Sequence, residues 1–262
     1  MDMTRYRMTI AYDGTRYAGW QVQPEQITLQ GELERAIGKI CHSAVRVSSS
    51  GRTDAGVHAR AQVAHFDLKD PIEPDGIPRA LNHFLEPDIR VFEMATVAPD
   101  FDARRSATGK QYRYFIWDDA VVPPFLRLYR VHRKRTLDVI AMQEAASRFV
   151  GVRDFAAFTA NPHRDVESTV RDLRRLDVHR VGHEVCILAE GEGFLYKMVR
   201  SLAGFLIRVG EGEQTAKDAT EILESKVRTA RVPTAQPHGL FLWEVYYHPQ
   251  GRDSQMRLCN RV

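Results

Sequence analysis

Cysteine is scarce in this chain of 262 residues: Cys41, Cys186 and Cys259 stand far apart. Three scattered thiols form neither a disulfide framework nor a zinc site with paired ligand spacing, so buried or idle groups are expected. No stretch offers the roughly eighteen consecutive apolar residues that a bilayer-crossing helix needs. The opening MDMTRYRMTIAYDG reads as a polar strand and not as a signal peptide, so a cytoplasmic protein is expected. Lysine is scarce as well, seven residues against 30 arginines, and the net charge is only +3.

With 44% hydrophobic and 27% charged residues, the composition is that of a folded globular protein and excludes a disordered one. The arginines are not spread evenly. Arg104, Arg105, Lys110 and Arg113 form one cluster, RLYRVHRKR from Arg127 to Arg135 a second, and Arg171, Arg174 and Arg175 a third. A genome biased towards arginine codons would scatter them, whereas a surface for nucleic acid would group them. Grouping beside a small net charge predicts a one-sided, salt-sensitive contact with a nucleic acid, because the guanidinium fork suits phosphate.

Periodicity sets out two modules, residues 1–105 and 106–262. In the first, strands over 5–12, 44–49, 59–68 and 89–97 interleave with a helix over 28–42, N-capped by Thr28, and a short helix in IPRALNHFLEP that stops before Pro87. Strand, helix, strand, strand, helix, strand is the order of ferredoxin-like and RRM-like modules. The second module has a strand in KQYRYFIW over 110–117. A helical stripe of Leu137, Ile140, Met142, Ala145 and Phe149 follows, closed by Gly151. Then come a hairpin of 169–180 and 184–190 turning at Gly182, helices over 194–209 and 216–225, and a closing strand in GLFLWEVYY. The fold class is α+β, with two antiparallel-sheet modules and no convincing sequence repeat.

Between the second and third strands lies SSSGRTDAGVHARAQVAHFD, Ser48 to Asp67. Gly51 and Gly56 bracket Arg52, Thr53, Asp54 and Ala55, allowing the backbone to turn sharply on both sides of a carboxylate. A lone D-x-G is most simply an Asx-turn. Here an arginine, a threonine and a histidine accompany it, which is more chemistry than a turn requires. His58, His65 and Asp67 have spacings unlike a metal motif and read as surface or satisfied polar groups. On the strand KQYRY, Tyr112 and Tyr114 share a face, either as core aromatics or as a stacking platform for bases.

The string GRTDAGVHA followed by QVAHF closely resembles the signature of the TruA family of tRNA pseudouridine synthases. AYDGTRYAGWQ, SATGKQYRYFI, GEGFLYKMVRSLAG and HGLFLWEV match in the family's order, so the resemblance covers about Tyr6 to Tyr247. It implies the pseudouridine synthase fold, with a central cleft between the two modules, in a homodimer. It implies that Asp54 is the essential catalytic residue, that Arg200 of MVR is its basic partner, and that Tyr112 stacks on the target uracil. Lys197 is the second choice for the basic partner. Arg52 would help to hold a flipped-out nucleotide, and Leu240 or the aliphatic residues around Met198 would supply an apolar wall.

The implied reaction converts uridine to pseudouridine in the anticodon stem-loop of tRNA, at about positions 38 to 40, without metal or other cofactor. Asp54 would begin it by attacking sugar or base or by removing a sugar proton. The rival readings are a non-catalytic RNA-binding protein, a hydrolase or nuclease using Asp54 as metal ligand or general base, and a synthase of the same family with other RNA targets. NPHRDV, residues 161–166, is read as a flexible loop facing the substrate, and the polar segment after Pro249 as a mobile tail.

Overall fold

Alternation in TRYRMTIAY places Tyr6, Met8, Ile10 and Tyr12 on one face, and all four side chains are buried. In the computed structural model, which describes residues 3–160 and 167–247, this stretch is strand β1, Thr4–Tyr12. Contacts divide the chain into two units, Met1–Lys110 with Leu242–Val262, and Gln111–Phe241.

In the first unit β1 is the inner strand. It pairs antiparallel with β3, His58–Leu68, and with β4, Ile89–Val97. The register runs from Thr4 opposite Leu68 to Ile10 opposite Gln62, then shifts so that Tyr12 faces Ala59. Helix α1, Leu29–Cys41, starts where Gly31 N–H donates to the Thr28 side chain at 3.3 Å, and it buries Leu29, Leu33, Ala36 and Ile37. Helix α2, Ile77–Phe84, gives way to extended backbone at Leu85, ahead of Pro87.

The expected strand over 44–49 shrinks to β2, Ser48–Ser49, opposite His65 and Ala64. Side chains of α1 take its backbone groups instead: Val47 N–H donates to Glu34 at 2.9 Å, and Val47 C=O accepts from Gln30 at 3.1 Å. The backbone polar groups are satisfied without a strand partner, so the ladder does not extend there.

Strand β5, Gly109–Trp117, has Gly109 and Lys110 in the first unit and continues in the second from Gln111; the second unit also holds β7, Gly151–Asp154; β8, Val170–Val181; and β9, Glu184–Gly191. Their order in the sheet is β5-β9-β8-β7, and the short β6, Val131–His132, pairs parallel with β5. The β8–β9 hairpin turns at Gly182, where φ is +58°. Helices α3, Val139–Ser147; α4, Met198–Gly210; and α5, Ala216–Ser225 pack together, with α3 also against β8. Phe149, Phe155, Phe158 and Phe205 meet edge to face in their core. Strand β10, Leu240–Tyr246, closes the chain's described part.

Three local expectations fail for identifiable reasons. Helix α4 starts at Met198 and not at 194, because Lys197 adopts the left-handed conformation (φ +56°) and the Tyr196 carbonyl is used by Ala160 N–H at 3.2 Å. Gly151 does not close α3, since Arg148 caps that helix and Gly151, at φ +100°, opens β7. Ile140 lies off the buried stripe, 85% exposed, while Leu137, Met142, Ala145 and Phe149 are buried. The segments 161–166 and 248–262, including the NPHRDV loop, the tail and Cys259, lie outside the described residues.

An ion pair ties the hairpin to α3's entrance. Arg180 donates from both terminal nitrogens to Asp118, at 2.8 and 2.6 Å, and also to the Leu137 carbonyl at 2.7 Å, while Leu137 N–H donates to Asp118 at 2.9 Å. The Asp118 side chain is wholly buried. Asp118→Ala therefore strands a guanidinium and an amide, and urea denaturation is expected to show a loss of about 3 kcal/mol. Gly204 in α4 is equally constrained: an added Cβ would stand 2.2 Å from the Pro233 carbonyl oxygen. Gly204→Ala is expected to cost about 1–3 kcal/mol in the same measurement, despite alanine's better helix propensity.

Candidate active site

β3 and β2 leave the chain between them, residues 50–57, projecting as one turn. Ser50 N–H donates to Val63 C=O at 2.8 Å on one side, and Val57 N–H closes the other on the Asp54 carbonyl at 3.1 Å. Gly56 supplies the left-handed residue, φ +74°. Asp54 is half-buried at the bend, Arg52 is exposed, and Thr53 is buried.

The N-terminal motif AYDGTRYAGW lies directly against this turn. Trp20 N–H donates to Thr53 C=O at 3.0 Å, and a Cβ on Gly19 would stand 2.8 Å from that same oxygen and 3.1 Å from Ala55 N. A Cβ on Gly14 would stand 2.0 Å from the Val57 carbonyl oxygen. Only glycine lets two backbones approach so closely. Gly14 N–H also donates to His58 Nδ1 at 3.0 Å, and His58 is fully buried.

Side chains from elsewhere hold the stem of the turn. Lys110 Nζ donates to the Ser50 carbonyl at 2.6 Å, and burial, helped by Arg104, pulls its pKa down to about 8. Gln62 donates to the Gly51 carbonyl at 2.8 Å and accepts from Ser50 Oγ at 2.7 Å. Tyr12 and Thr53 share a hydroxyl–hydroxyl hydrogen bond of 2.8 Å, and burial pushes the Tyr12 phenol up to about 12. None of these bracing roles was read from the sequence. The available signal was a polar residue, Gln62, opposite Ile10 on a strand whose Ala59, Val63, Ala64 and Phe66 are buried.

Tyr112, Arg200 and Leu240, the other expected site residues, belong to the second unit. Tyr112 on β5 is 9% exposed and meets Phe194 edge to face with ring centroids 5.1 Å apart. Tyr114, two residues on, is wholly buried and donates to the Gln236 carbonyl at 2.9 Å. Its phenol is pushed well above the usual range by burial, against the opposing pull of Arg133 and Arg200. Arg200 sits in the first turn of α4, where its Nε donates to the Ala235 carbonyl at 2.8 Å and its own carbonyl accepts from Ala235 N–H at 3.0 Å.

Because α4 begins at Met198, Tyr196 and Lys197 precede the helix and do not share a helix face with Arg200 and Ser201. Leu240 is buried at the start of β10, and Met198 is buried too. Gly239 beside Leu240 is another tight passage, its Cβ position lying 2.8 Å from the Phe115 carbonyl oxygen.

The arginine clusters divide. Arg130 pairs with Glu184 and lies over the Phe115 ring, Arg133 pairs with Glu211 at 3.2 Å, and Arg175 pairs with Asp177, so these serve the fold. Arg104, Arg105, Arg127, Lys134 and Arg135 are exposed. His65 accepts from Ala103 N–H at 3.1 Å, and Asp67 receives two bonds from Arg5, at 2.7 and 2.8 Å, so the His58, His65 and Asp67 set is spent on separate partners. Among the described residues no group of three or more His, Cys, Asp or Glu side chains is arranged to hold a metal ion.

A family model described as tRNA pseudouridine synthase matches residues 8–104 and 145–248. Curated relatives are similar over nearly the whole chain. The tRNA pseudouridine synthase A of Solidesulfovibrio magneticus is 46% identical, across 95% of this chain and 93% of its own. That of Halalkalibacterium halodurans is 44% identical, across 91% and 90%. The corresponding protein of Brevibacillus brevis is 42% identical, across 94% and 100%. With this degree of likeness from end to end, the chain belongs to the tRNA pseudouridine synthase family.

Proposed function

We propose that the protein isomerises uridine to pseudouridine in the anticodon stem-loop of tRNA, at about positions 38 to 40, with Asp54 as the catalytic carboxylate. The observation that carries this reading is the Asp54 turn itself: a half-buried carboxylate fixed on both flanks by backbone and side-chain hydrogen bonds, in a chain of this family. In the reaction the N1–C1′ bond breaks, the uracil turns, and C5 bonds to C1′. N1 gains a proton and C5 loses one, so substrate and product have the same composition. No oxidant, reductant or group donor enters that balance, and we propose that the enzyme uses no cofactor.

Asp54 initiates the exchange at the glycosidic bond. Arg200 is the basic partner of the carboxylate, and Tyr112 offers an aromatic surface for the uracil. Arg52, exposed beside Asp54, meets the backbone of the extruded nucleotide, and Leu240 contributes an apolar wall. The exposed Arg104, Arg105, Arg127, Lys134 and Arg135 are suited to phosphates along the tRNA, a mode that reads shape more than sequence. The enzyme acts as a homodimer in the cytoplasm. No helix among the described residues is long and apolar enough to cross a membrane.

Unmodified tRNA transcripts incubated with the wild type and with Asp54→Asn, with and without EDTA, test the reading. Carbodiimide labelling with primer extension is expected to give stops in the anticodon stem-loop for the wild type in both buffers. For Asp54→Asn the rate should fall by about a thousandfold or more, with tRNA binding retained. An active Asp54→Asn, or wild-type activity abolished by EDTA and restored by a divalent metal, would overturn the proposed chemistry.

A further inference from the structure

The stem of the Asp54 turn is held by a chain of buried polar groups that the proposed chemistry does not itself use. Gln62 is fully buried and bridges Gly51 C=O, at 2.8 Å, to Ser50 Oγ, at 2.7 Å. Its amide also lies 3.4 Å from the Tyr12 hydroxyl, which shares a hydrogen bond of 2.8 Å with Thr53 Oγ1. Lys110 completes the set on the Ser50 carbonyl at 2.6 Å. Tyr12 is 4% exposed and Thr53 7%. Placing an amide, a phenol and a hydroxyl together in the interior, with a half-buried ammonium beside them, is costly unless every group finds a partner. An ordinary turn could be anchored more cheaply by apolar contacts.

The attachment points have a pattern. Ser50, Gly51 and Thr53 are all held, and all lie within four residues before Asp54 on the N-terminal side of the turn. The braces come from three separate places in the sequence: the end of β1, the middle of β3 and the start of β5. Thr53 is the residue directly before Asp54, so its hydroxyl bond to Tyr12 fixes the peptide that carries the carboxylate. Such bonds leave little freedom for translation of Asp54, and a displacement of about 1 Å at a reacting group is enough to cost about a hundredfold in rate.

We propose that Tyr12, Thr53 and Gln62, with Lys110, are positioning residues that set the place of Asp54 for the chemical step while contributing little to tRNA affinity. The inference rests on the reading of Asp54 as catalytic. Affinity for tRNA resides in phosphate contacts spread over the surface, and these do not pass through the buried brace.

The test compares Thr53→Val, which keeps the shape and removes the hydroxyl, with Tyr12→Phe, the conservative Thr53→Ser, the double variant Tyr12→Phe/Thr53→Val, and Asp54→Asn. Single-turnover rates at saturating enzyme and tRNA affinity by filter binding are measured for each, with thermal denaturation to confirm folding. Thr53→Val and Tyr12→Phe are expected to slow the chemical step by about 10- to 100-fold with Kd changed by less than about twofold. Thr53→Ser should recover most of the rate. The double variant should be hardly slower than either single one, because both remove the same hydrogen bond. Tyr12→Phe, which deletes one oxygen, carries the test if Thr53→Val does not fold.

Unchanged rates in both single variants beside an inactive Asp54→Asn would overturn the positioning role alone. So would a loss of affinity that matches the loss of rate, or a failure of Thr53→Ser to recover. An active Asp54→Asn would overturn the catalytic reading and this inference with it.

Discussion

Two backbones meet in the first unit at a distance that side chains forbid. Gly14 and Gly19 let residues 13–20 lie against residues 53–57, with Trp20 N–H bonded to Thr53 C=O at 3.0 Å, and the Asp54 turn takes its shape from that contact. Much else in the unit serves it. Strand β1 ends at Tyr12, so the chain enters the contact directly from the sheet, and the register shift between Ile10 and Tyr12 occurs at the same end. Trp20 and Tyr17 are buried beneath it, and Leu29 N–H and Gln30 N–H, donating to Gly19 C=O and Trp20 C=O, join the start of α1 to the same loop. A methyl group at either glycine would have to move several elements at once.

The second unit solves a different problem by related means. Arg200 is held by a reciprocal exchange with Ala235, side chain to carbonyl and amide to carbonyl, so its guanidinium is fixed at the root as well as along the chain. The exchange requires the 233–235 segment to press on α4, and Gly204, one turn further along, makes room for it. The helix itself is buried on nearly every face, which is why a hydrophobic stretch of modest length reads as a helix at all.

Most regular elements were legible because each carries its own period. TRYRMTIAY alternates, α1 repeats Leu29, Leu33, Ala36 and Ile37 behind a Thr28 cap, and α5 has a Thr215–Asp218 capping box. Expectation failed where distant groups took over the backbone: the side chains of Glu34 and Gln30 at Val47, and the Thr159 hydroxyl with the Ala160 N–H at the Tyr196 carbonyl. The Asp54 turn is recognisable from a contiguous string, whereas the role proposed for Arg200 rests on family resemblance and that of Tyr112 on resemblance added to a strand face that core packing explains equally well. Gln62 and Lys110 were invisible as braces because their partners lie 11 and 60 residues away. Lys110 stands in the first cationic cluster of the sequence, yet it is half-buried and its ammonium donates to a carbonyl.

The anchoring of the turn by Tyr12, Gln62 and Lys110, all in the first unit, also bears on its dynamics. Loops with their own few contacts open independently of the body that carries them, at a small local free energy. This turn has no such independence: its carbonyls and hydroxyls are shared with residues 12, 62 and 110, which sit in sheet strands. Opening of this turn is therefore tied to opening of the strands that hold it. The placement of the Asp54 carboxylate thus depends on pairings between residues far apart in the sequence, and it is lost when those pairings are lost.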